Sequence, residues 1–394
     1  MGAKADTSTK ITARFDGVFR PSPESNNFVK GPLNSVTGRL TPRPDQAGAG
    51  ARLEAAVTGR ADATRRSTYA GNARATAPVA DKAITYPYVA RERAVGDRLR
   101  RIKGGSMSSA APLSVDVRQG LSMKACRTAG GARTPVICIP GLTRNASDFE
   151  DFAPLAAATG RDVYAVSLIG RGQSDYDPDY LNYRPETYRN DILAFMDAQG
   201  MDRAIFVGTS LGGIVTVLTR AEAPGRVAGA VINDVGPELA PEGIMRIAGY
   251  VGARAGGADE PARDLDEAAA RIRAINETAF PGREAAFWRL FARRTFRQEA
   301  DGRWRLDYDP GIGKALLEVG AAPDLWAAFA ALRGAPTLIV RGAISDLLTP
   351  PIIEKMRGVN SLFDYCEVAD VGHAPTLTEP DAWAAIRPFL ESAA

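Results

Sequence analysis

The chain has 394 residues, enough for two domains or for one large α/β domain with a tail, and 45% of them are hydrophobic, an ordinary share for a globular protein. The net charge of +3 hides an asymmetry, because residues 1–106 carry a charge of +10 and residues 107–394 a charge of −7. The excess positive charge lies in the front segment, residues 1–106. This argues against nucleic-acid binding as the function of the remaining body, residues 107–394.

The front segment, residues 1–106, is rich in Pro, Gly, Ser, Thr, Ala and Arg and shows no sustained periodicity. Such a composition buries too little apolar surface to offset the entropy of the chain. We therefore predict that this segment is either a disordered basic tail or an upstream extension of a reading frame that starts at Met107. An interaction arm is the alternative.

Targeting and redox signals are sparse. No apolar stretch reaches the roughly 18 residues of a membrane span, and the N-terminus lacks an apolar core followed by a cleavage site. The three cysteines, Cys126, Cys138 and Cys366, are scattered and odd in number, which does not suggest a disulfide framework. We expect a cytoplasmic protein that binds neither membrane nor nucleic acid.

From Ser114 onwards, apolar strands alternate with helices, which implies a parallel sheet covered on both faces. The predicted strands are Ser114–Val117, Leu121–Thr128, Val136–Ile139, Val163–Leu168, Ala204–Val207, Val227–Ile232, Thr337–Val340 and Tyr365–Val368. The predicted helices between and after them are Ser147–Thr159, Pro185–Gln199, Leu211–Ala221, Pro351–Met356 and Asp381–Leu390.

The alternation is interrupted at residues 236–330, which are predicted to be mostly helical. Asp264 can cap a helix with Glu267 three residues on, and apolar residues then follow at helical spacing. A second helix is predicted near Glu284–Phe296. This insert contains a group of arginines, any of which is a candidate for binding an anionic group but is more simply explained as a solvated surface: Arg293, Arg294, Arg297, Arg303 and Arg305.

The segment Gly208-Thr209-Ser210-Leu211-Gly212 follows an apolar strand and opens a helix. A serine on such a sharp strand-to-helix turn has a strained backbone and an exposed hydroxyl. Glycines are needed at both ends because side chains there would clash where strand and helix cross. Ser210 is therefore the candidate nucleophile.

A serine hydroxyl needs a base, and His373 is the one histidine of the chain. The imidazole in turn needs a carboxylate that holds its tautomer. Asp346 follows the strand Thr337–Val340 and is our predicted acid, while Asp234 is the rival and Asp370 is disfavoured because it lies so close to His373 in sequence. The backbone N–H groups of Leu142 and Leu211 are the predicted oxyanion donors.

The body from about residue 112 to the end resembles the α/β-hydrolase superfamily. The segments that carry the resemblance are Ile139–Leu142, Gly170–Ser174, Gly208–Gly213, Gly342–Asp346 and Gly372-His373. The resemblance implies a mostly parallel eight-stranded sheet flanked by helices. It also implies that residues 107–394 form one hydrolase domain, in which the helical insert at about residues 236–330 is a cap between strands six and seven.

The combined expectation is a serine hydrolase that cleaves a small carboxylic ester or lactone through an acyl-enzyme, with Ser210, Asp346 and His373 as catalytic residues. Neither a metal nor an organic cofactor is expected. One alternative is a carbon–carbon bond hydrolase of ring-cleavage products, which uses the same residues. A non-catalytic ligand-binding protein on the same fold is another, which the complete set of three residues disfavours. The sequence leaves the substrate and the oligomeric state open.

Overall fold

The computed structural model describes residues 110–257, 259–319 and 324–393, so the predicted tail or extension lies outside the described residues. The strands are β1 (Ala111–Arg118), β2 (Leu121–Ile139), β3 (Arg161–Ser167), β4 (Ala204–Thr209), β5 (Val227–Asn233), β6 (Phe296–Gln298), β7 (Trp304–Leu306), β8 (Thr337–Gly342) and β9 (Asp364–Val368). The helices are α1 (Phe152–Ala157), α2 (Pro185–Ala198), α3 (Leu211–Glu222), α4 (Pro241–Ala255), α5 (Leu265–Asn276), α6 (Ala285–Thr295), α7 (Gly311–Val319), α8 (Trp326–Ala330), α9 (Pro350–Val359) and α10 (Pro380–Ser392).

Seven of the described strands form one sheet, in which β1, β2, β4, β5, β8 and β9 are neighbours in that order and β3 pairs with β2. The pairs from β2–β4 through β8–β9 are parallel, and β1–β2 is antiparallel. Strands β4 and β5 are buried almost throughout, as expected for parallel strands covered on both faces. The carboxyl ends of β4, β5, β8 and β9 therefore meet at one edge of the sheet.

The second and third predicted strands form one continuous strand, β2, so the sheet has seven strands and not the eight expected. The chain passes the start of β3 near Gly130, where an added Cβ would lie only 2.2 Å from the carbonyl oxygen of Arg161. A glycine there allows the two backbones to touch. The predicted class, a mostly parallel α/β sheet flanked by helices, is confirmed.

The sheet separates two apolar clusters, because successive strand residues point to opposite faces. Along the end of β2, Ile137 and Ile139 belong to one cluster, and Val136 and Cys138 to the other. The first cluster includes buried residues of α2, α3 and α9, and the second includes residues of α1 and α10. The body is thus a three-layer sandwich of helices, sheet and helices.

The predicted helical insert lies between β5 and β8 and contains α4 to α8. At its predicted helix start, the Asp264 side chain accepts a hydrogen bond of 2.8 Å from the Glu267 backbone N–H. The insert also contains the antiparallel pair β6–β7, which the sequence analysis missed because three-residue strands are too short to show a periodicity. None of the described helices combines the length and the apolar character that crossing a membrane requires.

Candidate active site

Ser210 lies between the end of β4 and the first residue of α3, with φ 53° and ψ −114°. A positive φ is uncommon for a residue with a side chain and costs on the order of 1–3 kcal/mol, so the surrounding structure must hold it. Part of this support is the hydrogen bond of 2.9 Å from the Ser210 N–H to the carbonyl oxygen of Asn233 on β5. The serine therefore sits on the strained turn that the sequence predicted.

The two glycines that flank this turn allow the strand and the helix to cross closely. A Cβ on Gly208 would lie 2.3 Å from the carbonyl oxygen of Gly212, and a Cβ on Gly212 would lie 2.0 Å from that of Ile139. Both contacts are with backbone, which cannot swing aside. Larger residues at these positions would push the helix away from the sheet and shift Ser210 with it.

His373 joins the serine to a carboxylate. Its Nε2 lies 2.9 Å from Ser210 Oγ, and its Nδ1 lies 2.8 Å from Oδ2 of Asp234. The His373 side chain is 10% exposed and that of Asp234 is fully buried. With the proton on Nδ1, that nitrogen donates to Asp234, and Nε2 is free to accept the proton of the serine hydroxyl.

The prediction that Asp346 contacts His373 is wrong, because Asp234 occupies that position. The Asp346 carboxylate instead accepts hydrogen bonds from Arg246 of α4, at 2.6 Å from Nε and 2.8 Å from Nη2. Partial burial acts to raise the pKa of Asp346, but the bonded Arg246 guanidinium, together with His373 and a backbone N–H, holds that pKa below its usual value. Asp346 is therefore an ionised partner of the cap.

Both acids come near His373 because β5 and β8 are adjacent parallel strands that end at the same edge. Asp234 directly follows β5 in a left-handed conformation, with φ 55°. Its Oδ1 accepts a hydrogen bond of 2.8 Å from the Gly342 N–H, and its Oδ2 one of 2.7 Å from the Ser345 hydroxyl. These donors compensate for the burial of the charge.

Ser345 was not singled out from the sequence. Its hydroxyl donates to Asp234 and also accepts from the backbone N–H groups of Leu347 and Leu348, at 3.2 and 3.1 Å. The hydroxyl thus ties the loop after β8 to the acid after β5. A serine next to Asp346 is a weak signal, because serine is common in loops of every kind.

The two predicted oxyanion donors lie beside the serine. Leu211 is the first residue of α3, and the first N–H groups of a helix find no acceptor within it. Leu142 lines the same cavity as Ser210, and a Cβ on its neighbour Gly141 would lie 3.7 Å from Ser210 Cβ. The loop after β2 therefore packs directly against the serine turn.

Arg171 holds that loop in place, although the sequence analysis treated its glycine-rich turn only as part of the resemblance. Its side chain is fully buried, and its Nε donates a hydrogen bond of 2.8 Å to the carbonyl oxygen of Leu142. Nη1 donates to the Ile169 carbonyl oxygen and to the Tyr188 hydroxyl. Because the carbonyl oxygen of Leu142 is bound by a buried side chain, the loop after β2 has little freedom to rotate at this residue.

A cavity of about 170 Å³ opens in front of Ser210 and His373. The cap supplies most of its apolar lining, including Ile272, Ile275, Phe280, Phe287, Leu290 and Phe291. Three arginines also line it: Arg144, Arg246 and Arg294. In the part of the chain that the structure describes, no group of three or more His, Cys, Asp or Glu side chains is placed to hold a metal ion.

Comparison with known proteins agrees with this architecture. The pattern of the alpha/beta hydrolase family matches residues 136–386. The chain is 32% identical over 256 residues to the 3-hydroxybutyrate-oligomer hydrolase of Cupriavidus necator, covering 62% of this chain and 84% of that protein. It is 30% identical over 145 residues to an sn-1-specific diacylglycerol lipase of Danio rerio, covering 36% of this chain and 42% of that protein.

Among solved structures, an alpha/beta hydrolase from Novosphingobium aromaticivorans superposes with a TM-score of 0.67 and 38% sequence identity, covering 73% of this chain and 99% of that one. The family match spans more than half of the chain and includes the serine turn, the histidine and the intervening cap. The chain therefore belongs to the alpha/beta hydrolase family, and it is a hydrolase.

Proposed function

We propose that the protein hydrolyses a carboxylic ester or lactone through an acyl-enzyme, with Ser210 as nucleophile, His373 as base and Asp234 as the acid. The observation that carries this proposal is the continuous contact from Ser210 Oγ through His373 to Asp234, at 2.9 and 2.8 Å. A buried carboxylate stabilises the imidazolium that forms when His373 takes the serine proton.

In this mechanism, Ser210 Oγ attacks the substrate carbonyl while its proton moves to His373 Nε2. The carbonyl oxygen becomes an oxyanion, for which the N–H groups of Leu142 and Leu211 are the proposed donors. His373 then gives its proton to the leaving alkoxide, and the acyl group remains on Ser210. Water repeats the sequence with the same base, which releases the acid and restores the serine.

Short ester-linked hydroxy acids are the first substrates to test. The relative from Cupriavidus necator, whose length this chain covers to 84%, is named for hydrolysis of 3-hydroxybutyrate oligomers. The cavity here has an apolar wall from the cap, which suits an alkyl chain, and positive side chains, which suit polar or acidic ends. Lactones of similar size belong in the same panel.

The test is labelling with a fluorophosphonate, followed by peptide mapping with mass spectrometry. We expect one labelled residue, Ser210, together with loss of ester turnover, because only a serine paired with a base attacks such a reagent quickly. Ser210→Ala should prevent labelling and leave the fold in place. His373→Ala should suppress labelling as well, since the chain has no second imidazole.

Label on another serine, or full ester turnover by the Ser210→Ala protein, would contradict the proposal. A protein that binds esters but neither reacts with the fluorophosphonate nor turns over any of them would instead be a ligand-binding member of the family.

A further inference from the structure

The cavity lining carries an excess of positive charge. Leaving His373 aside, its charged lining residues are three arginines and one carboxylate, Asp148. A concave site with one sign of charge concentrates ligands of the opposite sign. Which of the three guanidinium groups is available to such a ligand depends on the partners that each already has.

Two of the arginines are already occupied. Arg144 donates to Asp148 through Nε and Nη2 and to Thr295 through Nη1, and its guanidinium carbon lies 4.3 Å from the centre of the Phe291 ring. Arg294 forms ion pairs with both Glu150, at 3.3 Å, and Asp151, at 2.8 Å. Arg144 therefore has hydrogen bonds on all three of its side-chain nitrogens, and Arg294 is shared between two carboxylates.

Arg246 differs from both. Among the described residues, the hydrogen bonds of its guanidinium run from Nε and Nη2 to Asp346, which occupies one edge of the group. The side chain is 21% exposed and lines the cavity. Because a guanidinium carries five N–H donors in a planar fork, the edge formed by Nη1 and Nη2 can donate hydrogen bonds to a second carboxylate.

The neighbours of Arg246 place it near the reacting groups. It lies on α4 with Ile247 and Tyr250, which also line the cavity. Its hydrogen bond to Asp346 raises the pKa of Arg246, and the Asp234 carboxylate adds to the effect. The guanidinium thus stays charged and lies within electrostatic reach of the His373–Asp234 pair.

We propose that Arg246 binds the free carboxylate of the substrate, and that the preferred substrates are hydroxy acid oligomers with that carboxylate on the alcohol side of the scissile ester. This inference rests on the proposed ester hydrolase function and narrows its substrate class. Asp346 positions Arg246, because it holds the guanidinium by the edge formed by Nε and Nη2.

The experiment compares two ligands that differ in one charge: the linear dimer of 3-hydroxybutyrate and its terminal carboxamide. Titration calorimetry with the full-length Ser210→Ala protein measures binding without turnover. We expect the carboxylate to bind on the order of 10- to 100-fold more tightly than the carboxamide, since hydrogen bonds to a charged group are the stronger ones. Adding Arg246→Gln should abolish this preference, and circular dichroism of the variant reports that it is folded.

The matched control is Arg289→Gln, again combined with Ser210→Ala. It removes the same charge from an exposed cap arginine, paired with Asp266 at 3.2 Å and outside the cavity lining, and should keep the preference. Equal binding of the two ligands, or a preference that survives Arg246→Gln, would overturn the inference.

Turnover by the wild-type protein separates this inference from the proposed function. If neither ligand is hydrolysed but the carboxylate binds through Arg246, the binding site is correct and the ester hydrolase proposal fails. If both are hydrolysed with equal kcat/KM and bound equally, the hydrolase proposal stands and Arg246 is not a carboxylate site.

Discussion

Ser210, His373 and Asp234 follow three different strands, β4, β9 and β5, and each side chain is held by groups from another part of the chain. Asp234 receives donors from Gly342, the last residue of β8, and from Ser345 in the loop that follows, in addition to His373. These contacts define its position without any long flexible side chain. At the scale of single residues, the site is therefore organised around the acid as much as around the nucleophile.

The same substitution, aspartate to asparagine, should affect kcat very differently at Asp234 and at Asp346. We expect Asp234→Asn to reduce kcat for an ester substrate on the order of 10⁴-fold, because an amide favours the wrong tautomer of His373. Asp346→Asn should reduce kcat for a neutral ester far less, since its carboxylate contacts Arg246 and not His373. Steady-state kinetics on one neutral ester measures both.

A larger loss of kcat in Asp346→Asn than in Asp234→Asn would mean that Asp346 serves as the acid during catalysis, which would contradict our assignment of Asp234. Circular dichroism of both variants is the control for folding, because Asp234 is fully buried and accepts three hydrogen bonds.

At the scale of elements, the crossing between α3 and the sheet determines where the serine lies. Gly212 contacts the backbone at the end of β2, so α3 and β2 approach more closely than side chains would permit. The same approach brings the loop after β2, with Leu142, against the serine turn. Helix position, serine position and loop position are consequently set together.

Two glycine-to-alanine changes in helices test this dependence. Gly212→Ala should destabilise the protein by about 3 kcal/mol or more, because its Cβ would overlap the carbonyl group of Ile139 and cannot be relieved by rotating a side chain. Gly249→Ala in α4 should instead stabilise it by about 0.5–1 kcal/mol, since no heavy atom lies within 4 Å of the added Cβ and alanine favours the helix. Urea unfolding midpoints measure both changes.

If Gly212→Ala has the stability of the unchanged protein, α3 can shift away from the sheet at little cost. The close crossing would then not be what positions Ser210.

At the scale of the whole molecule, the described residues contain a seven-stranded sheet and the two apolar clusters that cover its faces. The buried core runs from Val115 on β1 to Ala393 beyond α10. Arg161 strengthens this closure, because its buried guanidinium donates to the carbonyl oxygens of Leu390, at 2.9 Å, and Ala393 at the end of the last helix. These hydrogen bonds join the start of β3 to the end of α10.

We therefore expect a protein that starts at Met107 to fold and to hydrolyse esters with the kcat of the full chain. The physical reason is that the sheet, the cap and the proposed catalytic residues all lie after this position. Expression of both forms, with size-exclusion chromatography and kinetics at equal concentration, provides the measurement. A shortened protein that is insoluble or inactive would mean that residues 1–106 contribute to the folded body and are not a dispensable tail.

The sequence by itself determined the class of fold and two of the three residues in the contact chain. Alternating apolar strands and helices specify a covered parallel sheet, because each element must bury one face. The strand–turn–helix pattern around Ser210 and the single histidine after the last strand are local features. Local features are visible without knowledge of which elements are neighbours.

Only the tertiary structure decided which carboxylate contacts His373 and which arginines line the cavity. β5 and β8 end side by side, so sequence order alone placed both Asp234 and Asp346 at the right edge. The choice depended on the donors supplied by Ser345 and Gly342, and on a cap helix that brings Arg246 to Asp346. Such contacts join residues about one hundred positions apart, and their geometry follows from packing, which no local pattern in the sequence encodes.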